Sequence, residues 1–256
     1  MQLIIIGSGT CVPQIKRGSP ANFLKIGKNN ILIDCGPGTI RQMLKAGISY
    51  KDINYVFLTH FHNDHVNDVM ALLHALRWTP GYKRKKQLVL AGPKGLKRFF
   101  KRLTFNMKGD FSIDKRTFSC GYKVKLVEIA RMTNFPGFIV DCCKTPHGNP
   151  STAYRFEEDA SKKRLVVSGD SEFDKSLISF SRDCDLLLFD ASATEKSKLI
   201  GHMTAKSAAV IAKEANAKKL LLTHFYPVAS GKERLREAKK EFKNTALAKD
   251  LMKINI

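Results

Sequence analysis

Residues 59–65 read Thr59-His60-Phe61-His62-Asn63-Asp64-His65, and four of these seven side chains can bind a metal ion as neutral imidazole or carboxylate. A chain carrying such a run must fold so that rigid elements hold it, and its flanks supply them. Ile53, Tyr55, Val56, Phe57 and Leu58 have the β-branched and aromatic character of a buried strand. Val66, Val69, Met70, Leu73, Ala75 and Leu76 recur near the helical period and predict a helix over 66–78. The layout is strand, ligand-rich turn, helix. If the strand carries through the run, His60 and His62 share one face because successive side chains alternate, so both reach one ion. Asp64 and His65 lie past the turn and suit a second ion about 4 Å away.

The design recurs downstream. Leu165-Val166-Val167-Ser168-Gly169-Asp170 is a buried-strand pattern that delivers an aspartate at its C-terminal end, where α/β enzymes place chemistry. Leu186-Leu187-Leu188-Phe189 delivers Asp190, and Leu220-Leu221-Leu222-Thr223 delivers His224. His147 sits in a turn bounded by Pro146 and Gly148. His202 precedes a helical pattern over 205–215, where the helix dipole disfavours its cation unless Asp190 restores it. Upstream, Gly7-Ser8-Gly9-Thr10 ends a short strand; its spacing matches neither a Walker loop nor a dinucleotide fingerprint, so it reads as a structural turn near a site. Residues 22–26 and 30–33 read as a hairpin. Asp34, which closes it, reads as a metal ligand or, in preference, an acceptor that orients a histidine N–H, and a helix starts near Thr39.

With 256 residues the chain can bury the core of one large α/β domain, 1–256, and it shows no repeat or domain break. Forty-four Lys and Arg against 23 Asp and Glu leave a net charge of +21, which implies an anionic partner. The basic residues crowd at Lys83, Arg84, Lys85 and Lys86 and along an amphipathic stretch over 94–103, a face that either holds a phosphate backbone or is simply solvated. Residues 111–140 read as strands of a second sheet, and 231–249 as a charged packing helix. Cys11, Cys35, Cys120, Cys142, Cys143 and Cys184 lack paired spacing and read as reduced thiols. The N-terminus has no basic leader and its apolar run is too short to span a membrane, so a cytoplasmic location without a membrane partner is expected.

Taken together, these pieces resemble the metallo-β-lactamase superfamily, within it the ribonuclease Z and related phosphodiesterase branch. The resemblance runs through Gly7-Ser8-Gly9-Thr10, Asp34-Cys35-Gly36-Pro37-Gly38-Thr39, the HxHxDH run, His147, Ser168-Gly169-Asp170, His202-Met203-Thr204 and Leu222-Thr223-His224-Phe225. It implies a four-layer αββα sandwich of two mixed β-sheets with the site at one edge. It assigns His60, His62 and His147 to one metal, Asp64, His65 and His224 to a second, and Asp170 to a bridge, with Zn2+ favoured and Mn2+ or Fe2+ as alternatives. It implies hydroxide shared by two ions, Asp64 accepting the nucleophile's proton, and His202, partnered by Asp190, assisting at the scissile phosphate.

Two departures stand out. The branch usually has a glutamate where Asp190 stands, and a long RNA-gripping arm between the equivalents of His147 and Asp170, where this chain has only a charged turn. The expected function is a dinuclear-metal phosphodiesterase acting on RNA, other nucleic acid or small or cyclic diesters, with Lys83, Arg84, Lys85 and Lys86 as substrate contacts. The same scaffold serves thioesterases and lactonases. A third reading is a basic nucleic-acid-binding protein with a vestigial metal site, and pairing into a homodimer is left open.

Overall fold

The computed structural model describes residues 1–105 and 121–256. The strand expectation over 111–120, and Cys120, lie outside the described residues. In chain order, β1 (Gln2–Gly7), β2 (Ala21–Ile26) and β3 (Asn29–Ile33) form an antiparallel meander, followed by α1 (Thr39–Lys45) and β4 (Tyr55–Phe57). Next come α2 (Asn63–Val66), α3 (Asp68–Trp78), β5 (Leu88–Gly92), α4 (Leu96–Phe105) and β6 (Val124–Glu128). The second half holds β7 (Thr133–Phe135), β8 (Phe138–Lys144), β9 (Thr152–Glu158), β10 (Arg164–Val167), α5 (Ser176–Phe180) and β11 (Leu186–Asp190). Then follow α6 (Ala205–Glu214), β12 (Leu220–Thr223), α7 (Gly231–Glu241), β13 (Thr245–Leu247) and β14 (Lys253–Asn255).

Two seven-stranded sheets result, in the orders β14-β1-β2-β3-β4-β5-β6 and β13-β12-β11-β10-β9-β8-β7. Each mixes parallel and antiparallel pairs; β3 to β6 run parallel, as do β10 to β13. Alternation along the first sheet explains the layers. Leu3, Ile5, Ile31, Ile33, Tyr55 and Phe57 face the second sheet and pack on Phe138, Val140, Tyr154 and Phe156. Ile4, Ile6, Leu32 and Val56 face the other way, onto Met43 of α1 and Leu72, Leu73 and Leu76 of α3. On the far side Leu187, Leu188, Leu221 and Leu222 are covered by both the other sheet and the alanines of α6. Burial on both faces is why those strands read as unbroken apolar runs. The expected four-layer αββα sandwich of two mixed sheets is the architecture found.

Local assignments differ in three places. Val124–Glu128 belongs to the first sheet, paired parallel with β5, not to the second. The helix expected over 231–249 stops at Glu241, because Thr245–Leu247 adds an edge strand to β12. The helix after the ligand run breaks at Asn67: the Asp68 N–H bonds Cys35 O (2.9 Å) while Cys35 N–H bonds His65 O (2.7 Å), so the 34–36 segment is inserted against the helix start. Gly36 permits that approach, since a Cβ there would lie 1.8 Å from Asp64 O.

Candidate metal centre

Strands of both sheets deliver the site at their C-terminal ends. β4 stops at Phe57, so His60 and His62 are not on a strand face as alternation suggested. His60 lies in the buried loop that follows, and His62 caps α2, whose single turn carries Asp64 and His65. The two imidazoles still meet, with ring centroids 4.6 Å apart. From the second sheet, β10 leads to Asp170 and β11 ends in Asp190. β12 is followed by His224, whose φ of 60° turns the chain back over the site. Gly169, at φ 59°, is pressed against Thr59, where a Cβ would come within 2.7 Å, so the loops of the two sheets touch beside Asp170.

Six of the seven histidines converge here; His74 lies in α3. Metal-binding atoms of His60, His62, His147 and Asp170 fall within 4.8 Å of one another, as do those of Asp64, His65 and His224. Asp170 connects the groups. Its Oδ2 lies 3.8 Å from His60 Nε2 and 3.6 Å from His147 Nε2, while its Oδ1 lies 3.2 Å from both His65 Nε2 and His224 Nε2. Asp64 Oδ2 is 3.6 Å from His65 Nε2 and 3.7 Å from His224 Nε2.

The back of four of the rings is held. His65 Nδ1 meets Asp34 Oδ2 at 2.8 Å, His147 Nδ1 meets Gly201 O at 2.7 Å, and His224 Nδ1 meets Ser192 Oγ at 3.0 Å. Thr59 Oγ1 lies 3.0 Å from His60 Nδ1 and also bonds Asp34. The inward nitrogens are different. His60 Nε2, His65 Nε2 and His224 Nε2 are buried and make no hydrogen bond. Buried polar atoms are normally satisfied. Three orphan imidazole nitrogens aimed at shared carboxylates are the donor set a pair of divalent cations requires, so the residues fit such ions.

Charge tells the same story. Burial, then the neighbouring His65, drives His60 towards the neutral, ligating form, and burial does the same for His147. Burial would also lower His65, but Asp170 and Asp34 outweigh it and raise its pKa well above the ordinary value. Asp34 addresses Nδ1 while Asp170 attracts positive charge to Nε2, where a metal ion would displace the proton. Against the burial that would raise them, Asp170 and Asp64 are held low by the surrounding histidines. Beside the centre His202 Nδ1 lies 2.8 Å from Asp190 Oδ2, and this carboxylate outweighs burial to favour the imidazolium.

His62, Asp64, His147, Asp170 and His202 line a cavity of about 420 Å³ whose wall also includes Cys11, Phe61, Asn63 and Tyr226. Sequence reasoning missed that wall, and it missed Arg234. This side chain, 2% exposed, donates to the carbonyls of Ala191, Ser192, Tyr226 and Ala229 and so ties the β11 and β12 loops together. The one available signal was Ala238, four residues on, marking the buried face of an otherwise charged helix.

The four basic residues singled out earlier do not join the site. Lys83, Lys85 and Lys86 are exposed just before β5, next to Lys51 and Asn54, which precede β4. The ligands follow β4, so the two ends are roughly 15–20 Å apart along the strand. Arg84 is not a surface contact at all. It is 6% exposed and spends its guanidinium on the carbonyls of Lys51, Ile53 and Gln87.

A family model described as a beta-lactamase superfamily domain matches residues 29–225. Ribonuclease Z of Archaeoglobus fulgidus is 28% identical, covering 100% of this chain and 97% of the relative. Among solved structures, the metallo-beta-lactamase fold protein YhfI from Bacillus subtilis matches with a TM-score of 0.85 at 24% identity, covering 99% of this chain and 98% of that one. The short form of human tRNase Z matches with a TM-score of 0.77 at 25% identity, covering 100% and 99%.

Proposed function

Since the chain belongs to the beta-lactamase superfamily, we propose that it is a metal-dependent phosphodiesterase acting on RNA, with two divalent cations, zinc before manganese or iron, as its cofactor. The observation that carries this reading is Asp170, whose two oxygens address two separate histidine groups with orphan inward nitrogens. His60, His62 and His147 would hold one ion, Asp64, His65 and His224 the other, with Asp170 between. Bound there, such ions lower the pKa of water towards neutrality and draw charge from phosphoryl oxygens.

The chain's own groups do the rest. Asp64, held ionised by His224 and His65, accepts the proton of the attacking water. His202, kept protonated by Asp190, donates to the bridging oxygen as it leaves phosphorus. The shorter aspartate does not break this pair, because 2.8 Å is full hydrogen-bond contact.

Substrate selection differs from an arm-bearing enzyme. The interval between His147 and Asp170 is the plain antiparallel hairpin of β9 and β10. The alignment with the Archaeoglobus relative spans 311 positions for a 256-residue chain, so at least 55 of them have no residue here. RNA is therefore gripped near the cavity and by the general positive field, and single-stranded ends should be preferred to a folded precursor. Zinc-loaded protein should cleave bis(p-nitrophenyl) phosphate and 3′-extended RNA, and chelation should abolish both. Turnover of thioesters or lactones alone would transfer the assignment to a carbonyl-ester hydrolase. Salt-sensitive RNA binding without metal-dependent cleavage would leave only a binding protein.

A further inference from the structure

We propose that Tyr226 donates a hydrogen bond to a non-bridging oxygen of the phosphoryl group under attack, and that Cys11 holds the phenol ready for it. The inference rests on the phosphodiesterase reading above.

The local fold puts Tyr226 there for a reason independent of any ligand. His224 leaves β12 with positive φ, which sends Phe225 into the interior, 3% exposed, and swings Tyr226 over the cavity. The guanidinium groups of Arg17 (4.4 Å) and Arg234 (5.1 Å) both pack on the Phe225 ring. Arg234 also binds Tyr226 O. The residue that carries the phenol is thus anchored by its main chain and by its neighbour. Its ring stands edge-on to His202 (5.4 Å, 62°) and to His224 (5.8 Å, 70°), beside the stacked pair that the proton donor makes with one of the ligands.

The hydroxyl itself is weakly engaged. Its contact is Cys11 Sγ at 3.2 Å, and a thiol is a poor hydrogen-bond partner. The loop bearing Cys11 is pinned to the same wall by Gln14 Nε2 donating to Phe225 O (2.7 Å). An anionic oxygen competes readily with a thiol for the phenolic proton, because charge-assisted bonds are roughly twice as strong. A phenol is protonated at neutral pH, so it serves as a donor. It carries no charge to desolvate when an anion enters.

The role is distinct from that of His202. In the step proposed, the water oxygen forms the new P–O bond, the bridging P–O bond breaks, and the departing oxygen takes its proton from His202. The Tyr226 O–H bond stays intact throughout and stabilises charge on an oxygen that remains on phosphorus. Tyr226 is then a catalytic residue, and Cys11, acting through it, a positioning residue.

The test is Tyr226→Phe, with Cys11→Ala and Cys11→Ser beside it, all loaded with zinc and checked for unchanged metal content. Two readouts are needed: kcat/KM across aryl phosphodiesters of graded leaving-group pKa, and calorimetric affinity for inorganic phosphate. Tyr226→Phe should lower kcat/KM about 10- to 100-fold by the same factor for every leaving group, and weaken phosphate binding several-fold. Cys11→Ala should give a partial loss that Cys11→Ser restores. A loss that grows with leaving-group pKa would overturn the assignment in favour of leaving-group protonation. Unchanged kcat/KM and unchanged phosphate affinity would remove Tyr226 from the site. If the wild-type protein cleaves no phosphodiester, the functional reading fails instead, and phosphate affinity still decides the phenol's part.

Discussion

Two buried arginines root opposite ends of the molecule, and comparing them separates chemistry from surface charge. Arg234 sits under the C-terminal ends of β11 and β12 and binds four loop carbonyls; burial first, then Arg17, lowers its pKa to about 10. Arg84 sits before β5, bonds three carbonyls, and carries an Nε with no partner. Above Arg234 the charged groups are buried, of opposite sign, and converge within hydrogen-bond range. Around Arg84 they are lysines that diverge into solvent. Water satisfies each lysine separately, whereas the histidines and carboxylates can be satisfied only by one another and by what enters between them. The denser basic run in the sequence is therefore the less informative end of the fold.

Four measurements would break or sharpen this contrast. Asp170→Asn should cost about 10³-fold or more in kcat and lower the bound metal seen by atomic absorption, because one of the two carboxylate oxygens that address the two histidine groups becomes an uncharged amide nitrogen. Two ions retained at normal activity would end the bridging role. Next, Arg234→Met leaves carbonyls unpaired and a charge site empty. It should lower stability by about 3 kcal/mol and Tm by roughly 10 °C, with a smaller loss of about 2 kcal/mol for Arg84→Met. Equal losses in calorimetry would mean the two anchors are equivalent.

Smaller still is Asp185, at the far end of the second sheet. Burial would raise it, but Lys218, the Arg164 N–H and Lys163 bring it down to about 2. A depressed folded-state value gives stability that is present above the ordinary carboxyl range near 4 and is lost as pH falls through about 2. Asp185→Asn should therefore be less stable than wild type by about 1 kcal/mol at pH 7, with the gap closing in denaturation at pH 2. A gap independent of pH would show that packing, not charge, is responsible. Least of all, Lys83→Glu, Lys85→Glu and Lys86→Glu together should leave small-diester kcat/KM within about twofold, since they lie roughly 15–20 Å from the ligands. Any contribution to long RNA should show only as a shallower salt dependence of binding.

The residue types able to bind metal were legible because chemistry restricts them: few side chains can ligate, and Asp170 and His224 each stood at the end of an apolar run that read as a covered strand, while His147 stood in a Pro/Gly turn. Thr39, where α1 begins, and the hairpin of β2 and β3 were legible from turn chemistry and period. His62 was placed on a strand because alternation was extended past Phe57, where the Thr59 N–H and hydroxyl turn instead to donate to the Asp34 carboxylate. Tyr226 and Cys11 left no mark, being 215 residues apart and joined by one contact.

By itself the sequence determined the periods of burial, and through them the strands, the covering helices and the class of atoms waiting at the strand ends. Only the tertiary structure decided which of those atoms meet. Asp170 reaches both histidine groups, and Arg84 leaves the surface, because backbone carbonyls and neighbouring rings from distant segments complete their coordination. Those partners are set by how two sheets pack, a long-range geometry that no local pattern encodes.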